Sequence, residues 1–253
     1  MASETIAQPK AKASPPRFVP MGDTALMVVF GEVIDRDVNA RVLAFDAALR
    51  EAALPGVIEA VPTFCSLTVH LDPCTTTPAE VAARLAPLLP QGGVERPEGR
   101  TWNLPVCYDG DYAPDLAEVG ERTGLGRDGV VAAHTRPAYD VFMLGFLPGF
   151  GFMGPVEPAL ALNRRAEPRT RLPAGSVGIA IGLTCIYPYE SPGGWHLIGR
   201  SPVALFDLRR STPALLTPGD KVRFEPVDAA AYEALLARAK AGTLGPDDLR
   251  EQA

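Results

Sequence analysis

Thr24-Ala25-Leu26-Met27-Val28-Val29-Phe30 is an unbroken apolar run of strand length. Asp35 or Asp37 can then cap a helix whose apolar positions Val38, Val42, Phe45 and Leu49 recur with a period near 3.6 and share one face. Leu54-Pro55-Gly56 breaks that helix, and Val57 to Val61 predicts a short strand. From Cys65 to Leu71 the alternation is strict. Cys65, Leu67, Val69 and Leu71 take one face; Ser66, Thr68 and His70 take the other, which puts His70 on the solvated side.

Thr77-Pro78-Ala79-Glu80 has the form of a capping box with proline at the first helical position. Val81, Leu85 and Leu88 continue a second amphipathic helix. Strand, helix, strand, strand, helix, with one more strand expected after Gly93, is the split βαβ order of a ferredoxin-like domain. Thr101 to Cys107 either supplies that last strand or opens the next domain. The polar residues of this half have the spacing of caps and turns, so it reads as an assembly or packing module.

The second half begins with two short helices, Pro114 to Arg122 and Arg127 to His134, around Thr123-Gly124-Leu125-Gly126. Their outline is that of a helix-turn-helix, but the second helix offers only Arg127, Asp128 and His134 as polar contacts. It lacks the basic and amide residues that read phosphates and base edges, so no nucleic-acid partner is expected. His134 reads as a capping or packing histidine. From Tyr139 onward helical periodicity gives way to strand-like runs: Tyr139 to Leu144, Val177 to Ile181, Val203 to Asp207 and Lys221 to Phe224. Short strands separated by Gly and Pro predict a β-barrel or sandwich. Thr217-Pro218-Gly219-Asp220 turns the chain into the last strand, and Asp228 to Lys240 is a helix with Tyr232, Leu235 and Leu236 as its apolar positions. The expected organisation is α+β: a disordered tail over 1–16, a small α/β domain over 17–97, a β-rich domain over 98–228, and a C-terminal helix and tail over 229–253.

Composition changes this picture little. The 253 residues are 47% hydrophobic and 21% charged with a net charge of −6, which is globular and argues against a nucleic-acid scaffold. Cys65, Cys74, Cys107 and Cys185 have no CxxC spacing, and only three histidines could assist them, so reduced thiols are expected and no metal. The first 16 residues have no apolar core of a secretory signal, and no stretch approaches the roughly 20 apolar residues of a membrane span. The protein is expected to be cytoplasmic, with no membrane partner.

Candidate chemistry gathers in three loops of the second half. Gly145-Phe146-Leu147-Pro148-Gly149-Phe150-Gly151-Phe152 combines close-approach glycines with aromatic walls, yet lacks the lysine and hydroxyl of a P-loop. Arg164, Arg165, Arg169 and Arg171, four arginines within eight residues, precede Leu172-Pro173-Ala174-Gly175-Ser176; guanidinium forks suit a carboxylate or phosphate, although a solvated basic edge has the same composition. Tyr187-Pro188-Tyr189-Glu190-Ser191-Pro192-Gly193-Gly194-Trp195-His196 predicts a tight, exposed backbone beside a large flat ring, with His196 at the surface. No nucleophile elbow or Ser-His-Asp order occurs, so no catalytic residue is assigned.

GFLPGFGFMG, PRTRLPAGSVGIA and IYPYESPGGWHLIGRSP, in that order, resemble the signature of the allophanate hydrolase subunit 1 family, also called carboxyltransferase subdomains C and D or the KipI family. Its bacterial members include the B component of the ATP-dependent 5-oxoprolinase, the member these motifs resemble most. The resemblance runs from Val19 to Val227 and takes in Gly22-Asp23 and Pro218-Gly219-Asp220. It implies a ferredoxin-like N-terminal domain and a cyclophilin-like β-barrel. It also implies a large carboxyltransferase A/B-type partner subunit, and, in 5-oxoprolinase, a third subunit of LamB/YcsF type. The implied ligand is a small anionic amide. Carried over by position, its site residues are Arg165, Arg169 and Arg171, Gly149 and Phe150, Ser176, Tyr187, and Ser191 with Gly193, Gly194 and Trp195. Where relatives carry Gln-Thr-Gly before Ile-Tyr-Pro, this chain has Leu183-Thr184-Cys185, so specificity is expected to differ there.

The expected function is therefore the small, non-autonomous subunit of an ATP-dependent hydrolase opening 5-oxo-L-proline to L-glutamate. ATP would be used by the complex at a site mainly outside this chain. A subunit of a urea- or allophanate-type carboxyltransferase or amide hydrolase, and an inhibitor of a histidine kinase, are the rival readings. Proline isomerisation rests on barrel analogy alone.

Overall fold

The computed structural model describes residues 15–90, 92–96 and 98–251; the greater part of the expected tail lies outside them. The chain divides into two compact units, one ending at Glu98 and the other beginning at Gly99.

The first unit is a four-stranded antiparallel sheet with two helices. Its strands are β1 (Arg17–Pro20), β2 (Ala25–Val29), β3 (Val57–Pro62) and β4 (Ser66–Leu71), in the order β1-β2-β4-β3. Helix α1 (Arg36–Ala52) starts where the Asp35 carboxylate accepts the backbone N–H groups of Asp37 and Val38. Helix α2 (Pro78–Leu85) starts with the expected reciprocal bonds between Thr77 and Glu80. The expected apolar faces meet in one core of Leu26, Val28, Phe30, Val42, Phe45, Leu49, Leu67, Val69, Val81 and Leu85. Burial of each such side chain contributes about 1.5–3 kcal/mol. His70 is exposed, as the alternation of β4 requires.

No strand following Gly93 enters this sheet. The place beside β2 is taken by β1, in register from Arg17 opposite Val29 to Pro20 opposite Leu26. A four-residue edge strand ending in proline carries no readable alternation, and an edge is where proline is tolerated. Thr101 to Cys107 instead opens the second unit.

That unit is a closed seven-stranded barrel. Its strands are β5 (Thr101–Cys107), β6 (Tyr139–Leu144), β7 (Gly151–Gly154), β9 (Ser176–Ala180), β10 (Leu183–Ile186), β12 (His196–Arg200) and β13 (Lys221–Val227). They close in the order β10-β7-β6-β13-β5-β12-β9. β5 and β13 pair in parallel over their whole length, from Thr101 opposite Lys221 to Cys107 opposite Val227. Two further strands, β8 (Arg169–Leu172) and β11 (Ser191–Gly193), form a separate ribbon. Helices α3 (Leu116–Thr123) and α4 (Gly126–Thr135) pack on β12 and β13, while α5 (Ala229–Ala241) and α6 (Pro246–Leu249) pack on β5. The core joins Trp102, Leu104, Val106, Tyr139, Ile179, Ile198 and Phe224, and it includes Leu244 and Leu249 near the C-terminus.

His134 is wholly buried here. Its Nδ1 lies 2.8 Å from the Tyr108 hydroxyl and its Nε2 2.9 Å from Thr184 Oγ1, and its ring stacks on Phe224. This is the packing histidine the sequence predicts. Val203 to Asp207 is not a strand; only Phe206 makes a bridge, to Ala214, because Asp207 turns the chain by binding the backbone and guanidinium of Arg209. All four cysteines are free thiols. Among the described residues no acid, histidine or cysteine group is placed to hold a metal ion, and no helix is long and apolar enough to cross a membrane.

Candidate functional site

Two of the three expected loops fold onto one face of the barrel, and part of the third joins them around a pocket of about 330 Å³. Its walls are aromatic: Phe146, Phe150, Phe152, Tyr187 and Trp195. Phe150 is the hub, edge-on to Phe146 at 5.4 Å and to Tyr187 at 5.1 Å, and 4.8 Å from Phe152. Pro168, Pro192, Gly193 and Gly194 form the rim, and Arg164 and Arg165 its charged edge. A Cβ on Gly193 would sit 2.6 Å from the Tyr187 hydroxyl, so glycine is what lets the ribbon approach that ring. Gly149, with φ +78, turns the chain where a side chain would strike the Leu205 carbonyl at 2.9 Å.

The predicted site residues separate into three groups. Phe150, Arg165, Tyr187, Gly193, Gly194 and Trp195 line the pocket. Gly149, Ser176 and Ser191 do not line it: Ser176 Oγ donates to the Pro173 carbonyl and closes the turn before β9, and Ser191 is buried in β11 opposite Leu172. Arg169 and Arg171 do not line the pocket. Arg171 is exposed and pairs with Glu190 at 2.7 Å. Arg169 donates from both terminal nitrogens to Asp115, at 2.9 and 2.6 Å.

Asp115 is the residue the sequence did not single out. It stands just before α3, is almost wholly buried, and also accepts from Arg165 at 3.3 Å and from the backbone N–H of Leu197 at 2.7 Å. Burial acts to raise its pKa, but the Arg169 fork, the Leu197 amide and the two guanidinium charges outweigh it and hold the carboxyl below its ordinary value. The same bonds raise the pKa of Arg169. A carboxylate at a helix start is ordinarily a cap; here the side chain makes no cap bond to its own helix. That departure is the only local signal of its role.

The third loop differs from expectation. Ser191–Gly193 is a strand paired with β8, Trp195 is 4% exposed, and His196 is a buried residue of β12. Glycines interrupt the alternation of β7, β11 and β12, which is why the sequence reads them as loops. His196 Nε2 must donate to the Asn163 carbonyl at 3.0 Å, leaving Nδ1 buried without a partner. Burial, helped by the charge of Arg122, lowers its pKa and keeps it neutral. Leu183, Thr184 and Cys185 are wholly buried in β10 and none reaches the pocket, so this departure changes the barrel wall and not the lining.

A match to the carboxyltransferase domain, subdomain C and D, covers residues 16–216. The chain belongs to this family. Within the carboxyltransferase subdomain C and D family, it is 41% identical to the 5-oxoprolinase B component of Bacillus subtilis (strain 168), over 85% of this chain and 94% of that one. It is 39% identical to the corresponding 5-oxoprolinase component of Escherichia coli O157:H7, over 81% and 94%. The crystal structure of TTHA0988 superposes with a TM-score of 0.71 at 41% identity; it covers 81% of this chain, which spans only 40% of that longer one. The urea amidolyase of K. lactis, at 21% identity and a TM-score of 0.77, shares the fold over 94% of this chain.

Chemically the pocket offers aromatic walls and a few polar groups. No carboxylate, histidine, cysteine, serine or lysine lines it among the described residues. Besides Arg165, which is tied to Asp115 and Glu118, its polar side-chain groups are the Arg164 guanidinium, the Tyr187 hydroxyl and the Trp195 indole N–H, none of these three with a hydrogen-bond partner among the described residues. Burial raises the Tyr187 pKa, so the phenol is a neutral donor. Donors on an aromatic wall select a flat ligand rich in acceptors.

Proposed function

We propose that this chain is the small subunit of an ATP-dependent 5-oxoprolinase, which opens 5-oxo-L-proline to L-glutamate in concert with partner subunits. The observation that carries the reading is the aromatic pocket with its unpaired donors. 5-Oxoproline is a flat lactam with one carboxylate: its ring matches the Phe150, Tyr187 and Trp195 walls, and its acceptor oxygens match the pocket's unpaired donors. The 5-oxoprolinase relatives, matched over nearly their full length, support it.

In this reading Phe150, Tyr187, Gly193, Gly194 and Trp195 shape the amide site, with Arg165 at its edge. Gly149, Ser176 and Ser191 act outside the lining, as do Arg169 and Arg171. The nucleophile, the general base and most of the ATP site would come from the large carboxyltransferase A/B-type subunit and a LamB/YcsF-type subunit. The unit ending at Glu98 would be a ferredoxin-like module whose fourth strand is replaced by β1, and the barrel a cyclophilin-like one. The domains would run over 17–97 and 98–228, with α5 and α6 of the 229–253 segment packed onto the barrel, and the complex would work in the cytoplasm.

The test is co-expression with both partners and measurement of ATP hydrolysis with and without 5-oxo-L-proline. Stimulation by 5-oxoproline is expected. Its absence in a stable, complete complex would refute the substrate assignment.

A further inference from the structure

The four arginines between Arg164 and Arg171 are close in sequence but differ in what they touch. Arg169 gives both terminal nitrogens to Asp115, and Arg165 gives one nitrogen to Asp115 and to Glu118, each at 3.3 Å. Arg171 pairs with Glu190 away from the lining. Arg164 has no ion pair or hydrogen bond among the described residues, and it faces the pocket. The backbone on both sides of Arg164 is pinned. His196 Nε2 holds the Asn163 carbonyl at 3.0 Å, and the Arg165 N–H holds the Gly194 carbonyl at 2.8 Å. Asp115 itself is anchored to β12 twice, through the Leu197 amide onto its carboxylate and through its own N–H onto the Leu197 carbonyl.

We propose that Asp115 is a positioning residue, which takes up Arg165 and Arg169 so that Arg164 alone offers an unpaired guanidinium, from a pinned stretch of backbone, to a single ligand carboxylate. The reason is electrostatic. Three guanidinium groups in one short loop repel one another and would spread into solvent. One buried carboxylate neutralises part of that charge, ties the loop to β12 and leaves one unpaired cation at the rim. A side chain carried on a pinned backbone loses less freedom on binding than one on a mobile loop. The inference rests on the proposed reading of the pocket as a carboxylate site.

The experiment has two arms. In the first, the wild-type full chain is treated with the arginine reagent phenylglyoxal, and each arginine's rate is read by peptide mapping. Arg164 should react faster than Arg165 and Arg169 by on the order of tenfold or more, the protection expected of charge-assisted hydrogen bonds. In Asp115→Asn, which keeps the shape but cannot neutralise two cations, that gap should close. Equal rates for the three arginines in the wild type, or an unchanged gap in Asp115→Asn, would overturn the clamp. The wild-type measurement decides even if the variant fails to fold. In the second arm the complete complex is assayed with 5-oxo-L-proline. Asp115→Asn should raise KM on the order of tenfold with kcat changed about twofold or less, as expected of a lost binding contribution; a fall in kcat at constant KM would overturn the positioning role. A wild-type complex unresponsive to 5-oxoproline would refute the substrate reading, while the labelling arm would still decide the clamp.

Discussion

Asp115 and Asp220 are buried aspartates of the barrel unit that each carry an arginine, and their hydrogen bonds are nearly interchangeable in kind. Asp115 takes Arg169, Arg165 and one backbone amide. Asp220 takes Arg100, the Trp102 indole at 2.8 Å and the backbone amides of Arg100 and Thr217. What differs is the neighbourhood. Asp220 closes the seam where β5 and β13 begin, and none of the residues it binds lines the pocket. Asp115 holds two members of an arginine group and leaves a third, Arg164, unpaired at the pocket. Similar chemistry therefore serves stability at one end and ligand presentation at the other, and only the surroundings tell them apart.

The strongest way to break this contrast is Asp220→Ala. It strands the Trp102 indole and two backbone amides in a buried seam, and it removes the charge opposite Arg100. Each unmade buried bond costs about 1–3 kcal/mol, so a loss on the order of 3–5 kcal/mol is expected by thermal or urea unfolding. The relative phenylglyoxal rates at Arg164, Arg165 and Arg169 should stay unchanged in the folded protein. A small stability loss accompanied by an altered arginine pattern would show that the two clamps are not separate.

The histidines repeat the contrast. His196 faces the pinned loop, whereas His134 is sealed in the barrel core, where burial lowers its pKa from 6.5 to about 3. Between those values the unfolded chain binds a proton there and the folded chain does not. The stabilisation is thus complete above about pH 6.5 and is lost as pH falls, by roughly 1.4 kcal/mol per pH unit at most. His134→Gln, compared with wild type across pH 6.5 to 4, should flatten that slope while weakening the bonds to Tyr108 and Thr184. Parallel stability curves for the two proteins would mean that His134 is not the group that titrates.

The sequence made the core of the first unit legible because its helices and long strands obey one period each, from Val38 to Leu49 and from Cys65 to Leu71. It missed β1, where four residues with a terminal proline offer no period, and β7, β11 and β12, whose glycines interrupt the alternation. The site divided in the same way. Phe150, Tyr187, Gly193, Gly194 and Trp195 were legible as unusual residues in punctuated loops, and they do meet around one pocket. The choice among the arginines was not legible, since it is made by Asp115, 54 positions from Arg169. Composition identifies a positive loop; only a carboxylate brought in by the fold selects which cation remains free.

The smallest expected effect sharpens that last point. Arg171 belongs to the same loop, and by sequence it is as good a ligand candidate as Arg164. Its side chain is 75% exposed and its partner Glu190 is 52% exposed. Exposed pairs contribute about 0–1 kcal/mol, since water and salt screen them. Arg171→Ala should therefore leave the unfolding midpoint almost unmoved, the KM for 5-oxoproline within about twofold, and the Arg164 labelling rate unchanged. Arg164→Ala, tested beside it, should raise KM while leaving stability equally unmoved. If instead Arg171→Ala weakened the ligand as much as Arg164→Ala, the loop would act through its summed charge. The selection of one guanidinium by Asp115 would then have no functional consequence.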